Sequence, residues 1–421
     1  MKFVGRQSEV VNALSFDTLK LDRPSSDPRL AQWLQQFPTV FNERAYQSIE
    51  LLERYSIELA VDLARQLKLV DHLHNWRSAD ELSSLLYFQP RFKFALRWIL
   101  ARLVETGCAE TRANGETRLY RLRRTLWEPD LKALRAVGLS IDPANAATLD
   151  LLEYAARLYP AVAADEKTRD HNLLGPEGVP LWLKYFHNEN LTYAVNNWVG
   201  ATLAADHLAT RRAFRILEVG AGPGSASEIL LQLLAERGLL ERLECYLVTE
   251  PNAYFRRCNQ RTLTEKYSNL PLKWAALDLD LPWDTQGITS GEFDLIFAVN
   301  VMHISKNLVF SLNEARLALA SNGWLVLGEC LRPYANQPMY PELMFQILDS
   351  FTNVQTDPEI RPNPGFLTAE QWRLAFSRAG FERIEVAPDV DRIREIYQHF
   401  FTGAISGQNT ATTNDFGSSG N

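Results

Sequence analysis

Between residues 214 and 330, short apolar runs alternate with longer stretches in which apolar residues recur every three or four positions. Short apolar runs are typical of buried strands, and a recurrence of apolar residues every three or four positions is typical of amphipathic helices. The predicted strands are 214–219, 243–249, 272–277, 293–299 and 323–330, and the predicted helices between them are 225–237, 252–266 and 306–320. Strands that alternate with helices predict a Rossmann-like α/β fold with a doubly wound sheet.

After this region, the pattern predicts a last helix, a last strand and a tail. A capping residue at Thr368 opens a helix that ends near Gly380, and residues 381–386 form the strand that closes the sheet. Gly, Ser, Thr and Asn dominate residues 406–421. This composition predicts a disordered tail, which we place at 401–421.

The N-terminal half of the chain has mainly helical patterns. The first predicted helix covers 45–73, the second begins at a capping signature at Ser78, and the third covers 92–107. Two β-like runs around Asn114 and Gly115 then predict a hairpin. This order describes a winged-helix-like unit. Two further helices are predicted within 146–206; the second, 181–207, is rich in aromatic residues and leads into the first strand of the sheet as a lid. The predicted domains are an arm (1–45), a helical lid domain (46–206), the sheet domain (207–400) and the tail (401–421).

Composition narrows the class of protein. The chain has 421 residues, 46% of them hydrophobic and 23% charged, with a formal net charge of −7. Because no block of Lys or Arg stands out, we expect no nucleic-acid or membrane partner. The chain starts without an apolar signal region and contains no run of eighteen apolar residues. Its four cysteines and seven histidines lack ligand spacing, so we expect a cytoplasmic protein without a metal site.

The most informative segment runs from Phe214 to Gly224, where an apolar strand meets three glycines and then a helical pattern. Glycine permits a sharp turn and lets a ligand approach the backbone closely. A dinucleotide fingerprint would need its third glycine at Ser225, which argues against NAD. Glu250 ends the second strand, where an acceptor-only carboxylate suits the two hydroxyls of a ribose. The alternative is that the glycines form a turn that binds no ligand and that Glu250 is a solvated acid.

Glu218-x-Gly220-x-Gly222-x-Gly224 resembles the first motif of class I S-adenosylmethionine-dependent methyltransferases. The resemblance implies a methyltransferase with a seven-stranded sheet and S-adenosylmethionine as its cofactor. The carboxyl ends of the strands meet at one edge of such a sheet. The residues it implies around the cofactor are Glu218, Gly220, Ala221, Gly222, Gly224, the ribose acid Glu250, Asp278 and Leu279 beside the adenine, and Asn300.

A histidine and a glutamate follow the ends of two neighbouring predicted strands. His303 lies just past the fourth strand and Glu329 ends the fifth. A carboxylate at that position would fix the tautomer of the imidazole and stabilise the imidazolium that forms when a base takes a proton. The alternative is a histidine that caps the next helix and a glutamate at the rim of the sheet.

Asn300-Val301-Met302-His303 together with Glu329 resembles the Asn-Val-Leu-His sequence and strand-end Glu of polyketide synthase C-methyltransferase domains. By that resemblance, His303 removes the α-proton of a β-ketoacyl thioester on an acyl carrier protein, and Glu329 orients it. Tyr185, Tyr193 and Asn196 are similar to two tyrosines and an asparagine that precede the cofactor-binding fold in those domains, and the resemblance implies that they bind the substrate. Four positions depart from the family pattern, namely Pro223 in place of Thr, Glu250 in place of Asp, and Ile304-Ser305 in place of Ala-Thr.

Two other functions remain open at this point. Winged-helix O-methyltransferases also use a histidine base after the fourth strand, so the acceptor could be the oxygen of a small hydroxylated or phenolic metabolite. The glutamate and the tyrosine pair favour carbon as the acceptor. A methyltransferase-like module without catalysis is the third reading, against which the complete glycine motif and Glu250 argue.

Overall fold

A computed structural model describes residues 41–165, 172–395, 397 and 399–410. The predictions for residues 1–40 and 411–421 therefore lie outside the described residues. The chain forms two compact units, one with the described residues up to Tyr185 together with 336–352, and one with 186–335 and the described residues from Asn353 onward. The sequence places the domain boundary after residue 206, whereas the units part after Tyr185.

The first unit is mainly helical and contains the predicted hairpin, to which a short strand that was not predicted adds. Its strands β1 (Arg77–Ser78), β2 (Ala109–Asn114) and β3 (Thr117–Leu122) pair antiparallel in the order β1-β3-β2. The capping signature at Ser78 is confirmed, since its hydroxyl accepts the N–H of Glu81 at 3.0 Å and the Glu81 carboxylate accepts the N–H of Ser78 at 2.7 Å. The helices are α1 (Glu43–Gln66), α2 (Leu69–His72), α3 (Ala79–Leu85), α4 (Lys93–Glu105), α5 (Leu131–Ile141), α6 (Asn145–Ala164), α7 (Val179–Tyr185), α12 (Glu342–Phe345) and α13 (Asp349–Thr352).

Segment 336–352, which comes late in the chain, belongs to the first unit because buried polar contacts hold it there. Arg102 on α4 pairs with Glu53 on α1 at 2.7 Å, and the other carboxylate oxygen of Glu53 accepts the N–H of Tyr340 at 3.0 Å. The hydroxyl of Tyr159 on α6 donates to the carbonyl of Leu343 at 2.7 Å. A buried carboxylate needs such donors, so this segment completes the core of the unit.

The second unit contains a seven-stranded sheet, as predicted. Its strand order is β6-β5-β4-β7-β8-β10-β9, in which β6 to β8 run parallel and β10 pairs antiparallel with both of its neighbours. The strands are β4 (Phe214–Val219), β5 (Leu243–Thr249), β6 (Leu272–Ala275), β7 (Phe293–Val299), β8 (Leu319–Cys330), β9 (Glu382–Ala387) and β10 (Thr402–Gln408). The third strand ends two residues before its predicted end, and the fifth begins four residues before its predicted start.

The helices of this unit lie close to their predicted positions, except that one prediction is wrong and the short helix Val390–Arg394 was not predicted. They are α8 (Leu191–Leu208), α9 (Ser225–Glu236), α10 (Ala253–Lys266), α11 (Leu308–Ala318), α14 (Ala369–Arg378) and α15 (Val390–Arg394). The single predicted helix 181–207 is wrong, because the chain breaks into α7 and α8 at residues 186–190. Side-chain amides hold the break: Asn188 donates to the carbonyl of Ser225 at 3.0 Å and accepts from Asn197 at 2.8 Å.

The predicted tail from residue 401 is wrong for its first ten residues, because β10 is a fully buried strand between β8 and β9. Its small residues fill places where nothing larger fits. A Cβ on Gly403 would lie 2.4 Å from Cδ1 of Leu331, and one on Gly407 would lie 2.6 Å from Cδ1 of Phe376. Within residues 402–408, the small residues thus reflect tight packing. Within the described ranges, no helix is long and apolar enough to cross a membrane.

Candidate active site

The glycine turn after β4 adopts the backbone conformation that the sequence predicts for a ligand-binding loop. Gly220, Gly222 and Gly224 have φ of +65°, +54° and +106°, where other residues are strained. A Cβ on Gly220 would lie 2.4 Å from Cγ2 of Val301, whereas one on Gly222 would meet no atom within 4 Å. The N–H of Ala221 donates to the carbonyl of Thr249 at 2.9 Å. Gly222 therefore faces the open space that a ligand can enter.

Glu250 ties this turn to the end of β5. Its two carboxylate oxygens accept the N–H groups of Gly222 at 3.0 Å and of Asn252 at 2.8 Å. Burial raises the pKa of Glu250, and these two backbone hydrogen bonds act in the opposite direction. Each carboxylate oxygen keeps a second lone pair, so the predicted contact with two ribose hydroxyls is chemically available.

Glu218 lies beneath the turn and is 1% exposed. Its carboxylate accepts the hydroxyl of Tyr246 at 2.7 Å. Burial raises the pKa of Glu218 to about 7, although hydrogen bonds from Ser227 and Tyr246 lower it. Tyr246 was missed in the sequence because a tyrosine in an apolar strand has no distinguishing pattern. A direct contact between Glu218 and a cofactor stays a prediction.

Asp278 and Leu279 follow β6 at the same edge of the sheet. Asp278 is exposed, and its carboxylate accepts the N–H of Asp280 at 2.9 Å. The carbonyl of Leu279 accepts the hydroxyl of Ser311 at 3.0 Å. These bonds hold the segment in place, and its position beside an adenine stays a prediction.

Asn300 and Asn196 meet where β7 and β8 end. The side-chain oxygen of Asn300, a residue with φ of +52°, accepts from the Asn196 amide at 3.1 Å and from the N–H of Cys330 at 3.0 Å. Helix α8 can come this close because a glycine lies on each side of the contact: a Cβ on Gly328 would be 2.8 Å from the carbonyl oxygen of Asn196, and Gly200 lies opposite it. The structure thus brings together two residues that lie 104 positions apart.

The two predicted tyrosines lie in different units. Tyr193 is on α8, with its ring centroid 5.2 Å from that of Phe186. Burial raises the pKa of Tyr193, and nearby Glu218 adds to the rise. Tyr185 ends α7 in the first unit, where its ring packs edge-on against Trp182 at 5.7 Å. The prediction that both tyrosines project from one helix is therefore wrong.

His303 and Glu329 are in contact, as their positions at neighbouring strand ends predicted. Nδ1 of His303 lies 2.7 Å from Oε2 of Glu329, and the N–H of Met302 donates to Oε1 at 3.1 Å. His303 is 3% exposed and Glu329 is fully buried. A buried carboxylate is costly unless it is hydrogen-bonded, and here both of its oxygens have donors. The short 3₁₀ turn Met302–Ile304 after β7 makes this geometry possible.

This arrangement can serve as a base. When Nδ1–H donates to Glu329, the lone pair of the neutral imidazole is on Nε2, and the carboxylate stabilises the imidazolium that forms on protonation. The turn that carries His303 starts at Val301, which packs against Gly220. His303 and the glycine turn are therefore neighbours in the same unit.

Sequence reasoning also missed Arg361, which donates hydrogen bonds to the backbone around His303. Arg361 lies in a loop with several prolines and no periodic pattern, so no signal in the sequence could identify it.

Comparison with known proteins agrees with this geometry. Residues 217–325 match a family model described as a methyltransferase domain. The chain therefore contains a methyltransferase domain. The matched segment begins in β4 and ends in β8, so it covers the glycine turn, Glu250 and His303 and stops four residues before Glu329.

Two solved structures share the fold over nearly the whole chain. The CurJ carbon methyltransferase superposes with a TM-score of 0.75 and 23% identity, over 92% of this chain and 100% of that one. The DszA carbon methyltransferase gives a TM-score of 0.68 and 24% identity, over 94% and 97% of the two chains. At these identities, the similarity establishes the fold of this methyltransferase.

The hybrid PKS-NRPS synthetase buaA of Petromyces alliaceus is 29% identical over 194 residues, which are 46% of this chain and 5% of that synthetase. This chain therefore corresponds to a small part of that relative.

Proposed function

We propose that this methyltransferase methylates the α-carbon of a β-ketoacyl thioester carried by an acyl carrier protein, in polyketide-type biosynthesis. The observation that carries the proposal is the buried contact of 2.7 Å between His303 and Glu329 at the carboxyl ends of two adjacent strands. Carbon has no lone pair with which to attack a methyl group, so methylation of carbon needs a base. An α-proton between two carbonyl groups is acidic enough for a histidine to remove.

The residues of the glycine turn fit the cofactor. Gly222 leaves open space at the backbone, and Glu250 offers acceptors for the ribose hydroxyls. Ala221, Gly220 and Gly224 would shape the turn around its amino-acid end. When bound, S-adenosylmethionine supplies an electrophilic methyl group and leaves as a neutral thioether.

The role of the protein is to create and direct the nucleophile. Nε2 of His303 takes the α-proton, and the electron pair of the broken C–H bond remains on the substrate as an enolate. The enolate carbon would then be the nucleophile for the methyl group that the cofactor supplies. Glu329 holds the protonated ring, and Tyr193 or Asn196 would hydrogen-bond the substrate carbonyl. The role of Tyr185, which lies in the first unit, stays a prediction of the sequence.

Two independent features support carbon as the acceptor. The solved structures that share the fold over nearly the whole chain are carbon methyltransferases, and the curated relative is a polyketide-type synthetase. The buried glutamate behind the histidine fits a step in which the base must carry a full positive charge. Both features make a carrier-bound thioester the substrate to test first.

The test is methyl transfer to acetoacetyl acyl carrier protein, followed by mass spectrometry of the carrier, with a panel of phenols offered in parallel. We expect a product on the carrier and none on the phenols. Replacement of His303 by Ala should lower turnover by about 10²–10⁴-fold, the usual contribution of a general base, and leave S-adenosylhomocysteine affinity unchanged. Glu329→Gln should lower turnover by about 10²-fold, because its amide can donate to Nδ1 and place the ring proton on Nε2.

His207→Ala is the matched control. His207 stacks on Trp324 with ring centroids 3.8 Å apart, and Trp324 lies near the middle of β8, before Glu329 at its carboxyl end. The control should lose stability and keep its turnover per folded molecule. Near-native turnover in His303→Ala would refute the proposed base, and methylated phenols without a carrier product would favour O-methylation.

A further inference from the structure

We propose that Arg361 is a positioning residue that fixes the turn of His303 for the reaction; the inference rests on the proposed function above. Its guanidinium donates to three carbonyl oxygens of that turn, namely Ser305 at 2.9 Å and His303 at 3.3 Å through Nη1, and Lys306 at 2.8 Å through Nη2. A fourth bond, from Nε to the carbonyl of Gln355 at 3.0 Å, anchors the same side chain to its own loop.

The environment of Arg361 is unusual for a charged side chain. It is 2% exposed, and among the residues that the structure describes no carboxylate lies within 4 Å of it. Burial lowers the pKa of Arg361 to about 10, and Asp280 acts in the opposite direction. The group is still cationic at neutral pH. A buried charge without an ion pair is costly, so its four carbonyl acceptors must compensate for the loss of water.

A planar fork suits carbonyls that lie at several positions of one irregular segment. The carbonyls of residues 303, 305 and 306 lie in and just after the 3₁₀ turn, and no regular strand or helix pairs them; that of Lys306 also accepts the N–H of Gln355 at 2.8 Å. Arginine has five N–H donors in fixed geometry, whereas lysine is a compact point charge with rotating donors. The guanidinium therefore fixes the path of the backbone from which the imidazole projects.

The loop that carries Arg361 is itself tightly held. Asp357 and Arg361 exchange two backbone hydrogen bonds of 2.9 Å, and the Asp357 carboxylate accepts the N–H groups of Glu359 and Ile360 at 2.9 Å. Further along the same loop, the ring of Phe366 packs on the ring of His303 with centroids 4.8 Å apart. Backbone and ring of the histidine thus both depend on this loop. A misplacement of about 1 Å can cost 10²-fold in rate.

The experiment measures base function separately from binding. The readouts are the kcat and KM for methylation of acetoacetyl-pantetheine, deuterium uptake at its α-carbon in D₂O with S-adenosylhomocysteine present, and the affinity for S-adenosylhomocysteine alone. For Arg361→Met we expect kcat and deuterium uptake to fall by about 30–100-fold, with KM and affinity within about threefold. Arg361→Lys should fall by about 5–10-fold, because it keeps the charge and loses the fork.

Arg316→Met is the control for the loss of an arginine that bonds the backbone, although Arg316 is only half-buried. Arg316 also caps a backbone carbonyl in the second unit, that of Ala379 at 2.8 Å, and bonds the side chain of Asn313 at 2.9 Å. It should lose thermal stability and keep its kcat per folded molecule. If Arg361→Met lowers kcat no more than this control does, or if Arg361→Lys has full kcat, the positioning role is overturned.

His303→Ala in the same assays separates the two proposals. If His303→Ala is inactive and Arg361→Met is active, only the positioning role fails. If His303→Ala retains turnover and deuterium uptake, the proposed base and the positioning role both fail. If Arg361→Met does not fold, Arg361→Lys decides by its kcat.

Discussion

The glycine turn allows a sharp test, because two of its glycines are required for different reasons. A Cβ on Gly220 would meet Val301 at 2.4 Å, whereas a Cβ on Gly222 would enter open space. Gly220→Ala should therefore damage the fold, and Gly222→Ala should damage cofactor binding. Gly238→Ala serves as the control, because Gly238 has φ of +66° and open space around it but follows α9, away from the turn.

The expected losses of stability follow from the backbone strain at each glycine and from the space around the added Cβ. An alanine forced into the left-handed region costs about 1–2 kcal/mol, which all three variants share. Val301 is β-branched and cannot easily rotate away, so overpacking adds about 1–3 kcal/mol at Gly220 alone. For a unit of this size, about 1 kcal/mol corresponds to 2–4 °C in Tm. We expect Gly220→Ala to melt clearly below the other two variants.

Isothermal titration with S-adenosylhomocysteine gives the second half of the test. A methyl group in the space of the ligand should cost about 1–3 kcal/mol, so Gly222→Ala should bind about 10-fold more weakly than Gly238→Ala, or worse. Gly222→Leu should not bind at all. If Gly222→Ala binds like the control, or if Gly220→Ala is no less stable than Gly222→Ala, the geometry assigned to this turn is wrong.

Two further predictions concern stability. Burial raises the pKa of Glu218 from 4.5 to about 7, so the wild-type protein should lose up to about 3 kcal/mol of stability as pH rises from 4.5 to 7. Glu218→Gln should remove this loss. In urea unfolding, the variant should therefore be more stable than the wild-type protein at pH 8 and about equally stable at pH 5. The same difference in unfolding free energy at both pH values would contradict this. Ile405→Ala in β10 should cost about 2–5 kcal/mol in urea unfolding, because Ile405 is fully buried, whereas exposed Glu382→Ala on β9 should cost little. A loss below about 1 kcal/mol at Ile405 would mean that β10 is not part of the core.

The parallel part of the sheet could be predicted because its signals are local. Strands β4, β5 and β7 begin and end where the apolar runs do, since a parallel strand is buried on both faces and its sequence shows this directly. The contact between His303 and Glu329 followed from topology alone. If two parallel strands are adjacent, the residues that follow them share an edge, whatever lies between them in the chain.

Other features could not be predicted, because their causes lie far away in the sequence. β10 resembles a linker by composition, and only Leu331 and Phe376, which press on its glycines, explain why small residues are needed there. The break between α7 and α8 depends on a bond from Asn188 to Ser225, 37 residues later. Local patterns report burial, and they carry no information on which distant element imposes it.

Arg361 shows the same limit within the site itself. The sequence around it is a proline-rich loop, and an arginine in such a loop is ordinarily a solvated charge. Its role depends on the carbonyl oxygens of a turn 55 to 58 residues earlier, which every residue type possesses and no sequence motif can display. A candidate base can thus be found from its side chain, whereas an arginine that bonds the backbone of that base is visible only in the folded chain.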